Sequence, residues 1–363
     1  MRLDRRMALS FDWLWFLSLL LLSAAGLTAI WSTTQGTGLS DYLGRQAIYI
    51  CLSLLVFMVL LYFDYHVYSD YVSIAYLAGL LVLVLVLVIG RTVNANRSWL
   101  SLGFFAFQPS ELMKVLVICF LAKYYAEIDR DTLEVRDLVT GGLITAIPMA
   151  LVMLQGDLGT AVTFLPIYAG LSFLGGLKRK HILVLLLATA VILPAGWIML
   201  KDYQKGRIQT VLNPSSDPQG MGYQPKQSKI AIGSGGFLGK GFKQGTQGQL
   251  GFLPARHTDF VFAVISEERG FLGSISLLGL FLFVLFRLLR AGREAKDKIG
   301  AMIPMGVFSL FLFHVVINAG MNMGLLPIAG IPLPFVSAGG SSLLSFFAGM
   351  GLAMNVSMRR FVN

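Results

Sequence analysis

About ten stretches of the chain run for roughly twenty residues with almost no charge, and this constrains the fold more than any other feature. A helix needs about 20 apolar residues to cross the bilayer hydrocarbon. The stretches fall at 11–32, 44–63, 67–90, 109–125, 138–155, 158–176, 181–200, 268–290, 299–322 and 341–358. Each is a continuous apolar block, whereas a transmembrane strand alternates over about ten residues. Even 81–89, where Leu alternates with Val, lies inside a block of spanning length. Only 13% of the residues are charged, against about a quarter in ordinary soluble chains. Arg2, Arg5 and Arg6 precede an apolar stretch longer than that of a secretory leader, which reads as a retained first helix. The expected fold is an all-α polytopic membrane protein, a single domain over 1–363, with a large extracytoplasmic loop at about 201–262 between helices 7 and 8.

The short loops set the orientation. Positive clusters at Arg2, Arg5 and Arg6, at Lys178, Arg179 and Lys180, at Arg290, Arg293, Lys296 and Lys298, and at Arg359 and Arg360 all fall on one side of a ten-span chain. Lys and Arg mark the cytoplasmic face, so both termini are expected there. The loop 126–137 mixes Arg130 and Arg136 with five acids and decides nothing. Cys51 and Cys119 lie in separate spans and offer neither a disulfide framework nor metal-ligand spacing.

The loop 201–262 breaks the charge rule. It carries eight Lys and Arg against three Asp, a surplus of five positive charges on the side where they are not expected. A solvated face explains such charge without function. An anionic ligand explains it with function, and for a membrane protein a lipid phosphate or pyrophosphate is the natural one. The run Gly233-Ser-Gly-Gly-Phe-Leu-Gly-Lys-Gly241 fails as a nucleotide loop, because Ser234 stands where a Walker loop needs Gly and Gly241 where it needs Ser or Thr. Its glycines read as turns ahead of a phosphate cradle.

One acid stands out. Asp259 enters the apolar run 260–265 beside Arg256 and His257, and ionisable groups near membrane depth are functional candidates. A structural alternative is that Asp259 caps the following helix. Glu111 and Lys114 are three apart at the start of a span and are placed to pair. Asp157 lies in the tight link 155–160, Glu267 and Glu268 open the eighth span, and His314 is alone mid-span. His66 and His181 read as loop residues.

These pieces resemble a known family. Arg97-Ser-Trp-Leu100, Phe107-Gln-Pro-Ser-Glu111 with Lys114, Gly156-Asp-Leu-Gly-Thr160, Asn213-Pro-Ser-Ser-Asp-Pro218, the run 227–236, Gly245-Thr-Gln247, the run 252–260, Gly330-Ile-Pro-Leu-Pro334, Val336-Ser337 and Gly339-Gly-Ser341 occur in the order seen in the SEDS proteins of shape, elongation, division and sporulation. The Gly-Thr-Gln and Phe-Leu-Pro pieces sit nearer the RodA branch than the FtsW branch. Ala338, Gly156 and Arg269 depart from the family's usual wording and remove no proposed catalytic group.

The resemblance implies a peptidoglycan glycosyltransferase that polymerises lipid II in the bacterial inner membrane and releases undecaprenyl pyrophosphate. Asp259 occupies the position of the family's essential acid. The expected substrate-binding set is Glu111, Lys114, Asp157, Arg207, Lys229, Lys240, Arg256, His257, Trp99 and Ser337. The implied partners are lipid II, a class B penicillin-binding protein that crosslinks the strands, and other membrane proteins of the elongation complex; none is a nucleic acid. A divalent cation, Mg2+ or Mn2+, is implied without a recognisable protein cage. A lipid II flippase and a non-catalytic scaffold of the elongation machinery are the competing readings. A flippase forms no glycosidic bond, and inverted repeats typical of transporters are not evident.

Overall fold

The computed structural model describes residues 10–34, 41–93, 96–102, 105–178, 180–181, 205–206, 209 and 222–360. The expected span 181–200 and Arg207 lie outside this set except for His181. Helices form where the apolar blocks predict them: α1 (Trp13–Thr34), α2 (Asp41–Tyr62) and α3 (Tyr65–Ile89) come first. A three-stranded antiparallel sheet follows, β1 (Arg91–Val93), β2 (Asn96–Leu102) and β3 (Phe105–Phe107), in the order β1-β2-β3. Then come α4 (Pro109–Ala126), α5 (Val135–Leu154), the short α6 (Leu158–Val162) and α7 (Phe164–Leu174). After the undescribed stretch come α8 (Tyr223–Ser234), α9 (Thr246–Gln249), α10 (Val261–Arg293), α11 (Lys298–Asn322) and α12 (Gly340–Arg359).

Among the described residues, seven helices are long and apolar enough to cross a membrane: α1, α2, α3, α5, α10, α11 and α12. Helices satisfy their own backbone groups, which hydrocarbon cannot do. Their ends carry ordinary caps. Asp64 accepts from the His66 amide ahead of α3, Asp297 accepts from the Gly300 amide ahead of α11, and Pro109 opens α4. The central helix is α12, nearly all buried, packed against α2, α4, α10 and α11. The outer helix α3 instead turns Leu77, Leu81, Leu85 and Val88 outward, as a lipid-facing helix must.

The link between α3 and α4 is a small sheet within an otherwise helical fold. Arg97 holds this sheet by donating to the exposed carbonyls of Leu87 and Gly90 at the end of α3, while its amide donates to Gln155 O. The helix that carries the eighth span starts ahead of that span, at Val261, and breaks at Gly270, where φ is 65° and ψ is −160°. His66 stands in the first turn of α3, with Nδ1 2.8 Å from Asp64 and Nε2 3.2 Å from Asp297.

In the link between α11 and α12, the stretch 331–337 is seated in the molecule rather than looping over it. At Gly26 of α1 a Cβ would lie 2.5 Å from the Val336 carbonyl oxygen, and at Gly159 of α6 it would meet that of Ala329. Phe335 holds a positive φ of 64° while buried among Phe311, Phe346 and Phe347. A non-glycine residue there costs on the order of 1–3 kcal/mol, which its aromatic packing offsets.

Candidate active site

Asp259 lies at the end of a tight turn. The amides of Thr258, Asp259 and Phe260 all donate to Ala255 O. Leu253 and Phe260, both fully buried, pin the turn to the protein, and leave Asp259 half-buried at its rim. The Asp259 carbonyl accepts from Asn318 Nδ2 at 3.1 Å and from Asn322 Nδ2 at 2.9 Å. Asn322 Oδ1 accepts from the Ala263 amide at 3.1 Å. The first turn of α10 is therefore bonded from a neighbouring helix, and its cap residue is Phe260, which makes no side-chain cap bond. The alternative reading of Asp259 as that cap is corrected.

The segment 323–339 touches this turn and also α6, which Asp157 caps. A Cβ at Gly330 would lie 4.0 Å from Asp259 Oδ2. Ser337 donates to Thr258 O at 2.5 Å and accepts from the Leu333 amide, and the Ala338 amide donates to His257 O. Asp157 caps α6, accepting from the Thr160 amide at 3.1 Å, from Thr160 Oγ1 at 2.8 Å and from Gln108 Nε2 at 2.7 Å. Its neighbour Gly159 abuts Ala329. Lys114 and Glu111 pair at 2.8 Å, both buried. Glu111 O accepts from Ser345, and the Gln108 amide donates to Ser341 Oγ. Glu111 Oε2 is buried without a hydrogen-bond partner, an uncommon state that marks a place for a ligand or water.

The remaining candidates divide. The Lys229 side chain lies against Gly324, at the start of the same segment. His257 packs its ring on Tyr42, and burial, then the Arg256 charge, lowers its pKa below the usual histidine value. Arg256 is buried and donates to Gly248 O at 2.6 Å; desolvation lowers its pKa, and it ties the turn to α9. Lys240 pairs with Glu267 at 2.7 Å, and Trp99 lies in β2 opposite Arg91. Arg256 and Lys240 are thus engaged in holding the loop. His314 Nδ1 is 3.1 Å from Pro332 O, a bond within the bundle. Gly235 and Gly239 approach protein backbone, that of 266–269, as turns do.

Sequence reasoning missed Asn318, Asn322 and Gln108. Its search followed ionisable groups, while these are neutral amides. Two Asn at i and i+4 in an apolar span share one helical face, and that spacing was the available signal. No three His, Cys, Asp or Glu side chains converge to hold a metal ion among the described residues, so no step below is routed through one.

Residues 6–361 match the cell cycle protein family of FtsW, RodA and SpoVE. The chain is 38% identical over 348 residues to the peptidoglycan glycosyltransferase MrdB of Escherichia coli K12, covering 95% of this chain and 92% of that one. It is 33% identical to stage V sporulation protein E of Bacillus subtilis, covering 91% and 90%. Its structure matches a chain solved in a peptidoglycan synthase complex that coordinates polymerization and crosslinking, with TM-score 0.84, 33% identity and coverage of 97% and 99%. It also matches the rod shape determining protein RodA of Thermus thermophilus, with TM-score 0.73, 31% identity and coverage of 97% and 98%. Matched along nearly its whole length and built of membrane-spanning helices, this multi-pass membrane protein belongs to the FtsW/RodA/SpoVE family of cell cycle proteins.

Proposed function

We propose that the chain is a peptidoglycan glycosyltransferase of the bacterial inner membrane that polymerises lipid II, with both termini in the cytoplasm and Asp259 as its general base. The observation that carries the assignment of the base is the way Asp259 is held. Two buried amides fix its backbone from α11, while its side chain stands at the rim beside Gly330. A base must be fixed in place and reachable by the proton it takes.

In the proposed step, a sugar 4-hydroxyl of one lipid II attacks the anomeric carbon of the growing chain. The new O–C bond forms as the C–O bond to pyrophosphate breaks, and the configuration inverts. Asp259 takes the hydroxyl proton, and undecaprenyl pyrophosphate carries away the bonding pair. Cations near the leaving phosphates stabilise their growing charge; Lys229, which is exposed, is the described candidate and Arg207 a second, whereas Lys114 is wholly buried against Glu111. A cation on the pyrophosphate itself is consistent with this scheme and needs no protein cage. The partner that crosslinks the strands is a class B penicillin-binding protein, a reading supported by the solved relative from a synthase complex.

The test uses purified Asp259→Asn with lipid II, measuring glycan polymerisation beside lipid II binding. Polymerisation is expected to fall about 10²–10⁴-fold, with binding retained. Full polymerisation by the variant overturns the assignment. Absence of any new glycosidic bond with the unaltered protein points instead to a flippase or a scaffold.

A further inference from the structure

Helices α1 and α10 run antiparallel and are tied at both ends. Asp12 pairs with Arg287 at 3.1 Å at one end, and Ser32 bonds to Glu268 at the other. The two ties are about twenty residues apart on each helix, roughly 30 Å at the helical rise. That is the thickness of the bilayer hydrocarbon. Trp13 and Trp31 lie near the two ends of α1, both exposed, as interfacial aromatics do. The break at Gly270 therefore stands at one hydrocarbon boundary, and α10 leaves the apolar layer there.

The loop segment after α8 is fitted into that break. The amides of Phe271 and Leu272 donate to Gly236 O and Phe237 O, while those of Lys240 and Gly241 donate to Glu267 O and Glu268 O. Gly239, at φ 84°, lies so close to Gly270 and the Glu268 carbonyl that a side chain on either glycine would collide. The fit turns large apolar side chains outward. Phe237 is 66% and Leu238 73% exposed, and Phe242 is exposed too. Phe237 stacks on Phe271 with ring centroids 5.9 Å apart. Phe271 itself begins the outward apolar stripe of α10 that continues through Ile275, Leu282 and Phe286. On the other flank Phe242 lies 5.3 Å from Trp31, and Lys243 Nζ sits 4.3 Å over the Trp31 ring.

Two independent depth markers, Phe271 and Trp31, thus touch the two tips of one loop. We propose that segment 236–243 is an interfacial anchor, with Phe237, Leu238 and Phe242 inserted at the acyl boundary of the leaflet on the Asp259 side. Lys243 stands at the depth of the lipid phosphates. The occupant is the bilayer itself, because the patch is continuous with the lipid-facing stripe of α10 and is flanked by a Trp and a Lys, the pair that suits an apolar–headgroup boundary. Water around three adjacent exposed apolar side chains is the costly alternative.

The test places a nitroxide at Leu238 in a Cys51→Ser background, with the chain in phosphatidylcholine–phosphatidylglycerol nanodiscs. Power saturation compares collisions with oxygen, which concentrates in lipid, and with a water-soluble nickel chelate. Labels at Leu282, on the α10 stripe, and at Asp129, exposed between α4 and α5, give the lipid and water references. The Leu238 label is expected to show an oxygen-to-nickel ratio several-fold above the Asp129 label and near that of Leu282. A ratio equal to that of Asp129 overturns the proposal. So does a label that becomes shielded only after the transpeptidase partner is added, since the patch then belongs to a protein.

Discussion

Two acids eight residues apart, Asp259 and Glu267, meet the same charged loop in opposite ways. Glu267 is wholly buried and fully engaged: Lys240 Nζ, Thr246 Oγ1 and the amides of Gln247 and Gly248 all donate to its carboxylate. Asp259 is half-buried, and two amides of α11 bond its backbone carbonyl. The side chain of the first acid holds a loop, and the backbone of the second is held by a neighbouring helix. Charge in sequence does not separate these cases; burial and the clamp on the backbone do.

The comparison breaks most visibly if the two acids are exchanged in role. Asp259→Asn should cost activity by the 10²–10⁴-fold given above and leave thermal stability in detergent unchanged. Glu267→Ala should do the reverse in kind. It strands Lys240 and two amides, so stability should fall by about 2–3 kcal/mol, read as an earlier thermal unfolding midpoint. If Glu267→Ala melts like the unaltered protein yet loses polymerisation, Glu267 belongs to the chemistry and the contrast fails.

Asn322→Leu sharpens the contrast from the other side. It removes the bonds to Asp259 O, Asn318 O and the Ala263 amide, and each bond typically contributes about 1 kcal/mol. Polymerisation should fall with lipid II binding retained, and Asn322→Asp, which sets a buried carboxylate against the Asp259 and Asn318 carbonyls, should lose at least as much stability. Equal activity in both variants and the unaltered chain would show that the backbone clamp does not set the base.

The smallest effect is a pH dependence at His257. Burial and then Arg256 lower its pKa in the folded protein below the ordinary histidine value of about 6.5. The unfolded chain therefore takes up a proton that the folded one refuses. The stability this contributes is complete above pH 6.5 and declines as pH falls through 6.5 toward the folded value. The melting midpoint should drop between pH 7.5 and 5.5 by less in His257→Gln than in the unaltered chain.

The spanning helices were legible because an apolar run of twenty residues has few other fates. The start of α10 was not. Glu267 and Glu268 read as the polar edge of a span, and nothing local reveals that a loop thirty residues upstream covers both. The sheet at 91–107 was hidden because its strands are three to seven residues long. Asp259, Glu111 with Lys114, and Asp157 were legible as charges in apolar surroundings. The contacts of the 323–339 segment with α1 and α6 were not, since they depend on Val336 and Ala329 reaching Gly26 and Gly159 across the fold. The engagement of Lys240 and Arg256 by Glu267 and Gly248 O was equally invisible, being contacts made only after the loop closes on itself.

One amide has a further mechanical consequence. Asn322 is reached from three elements at once: its side chain bonds α10 and the Asp259 turn, and its carbonyl accepts from Ser228 of α8 at 2.7 Å. Sliding or rotating α8 against α11 loads that one residue, and the load arrives at Asp259. The position of Asp259 is therefore not a local property of its turn. It is read out from the alignment of three helices, as the tip of a lever reads the angle of its arm.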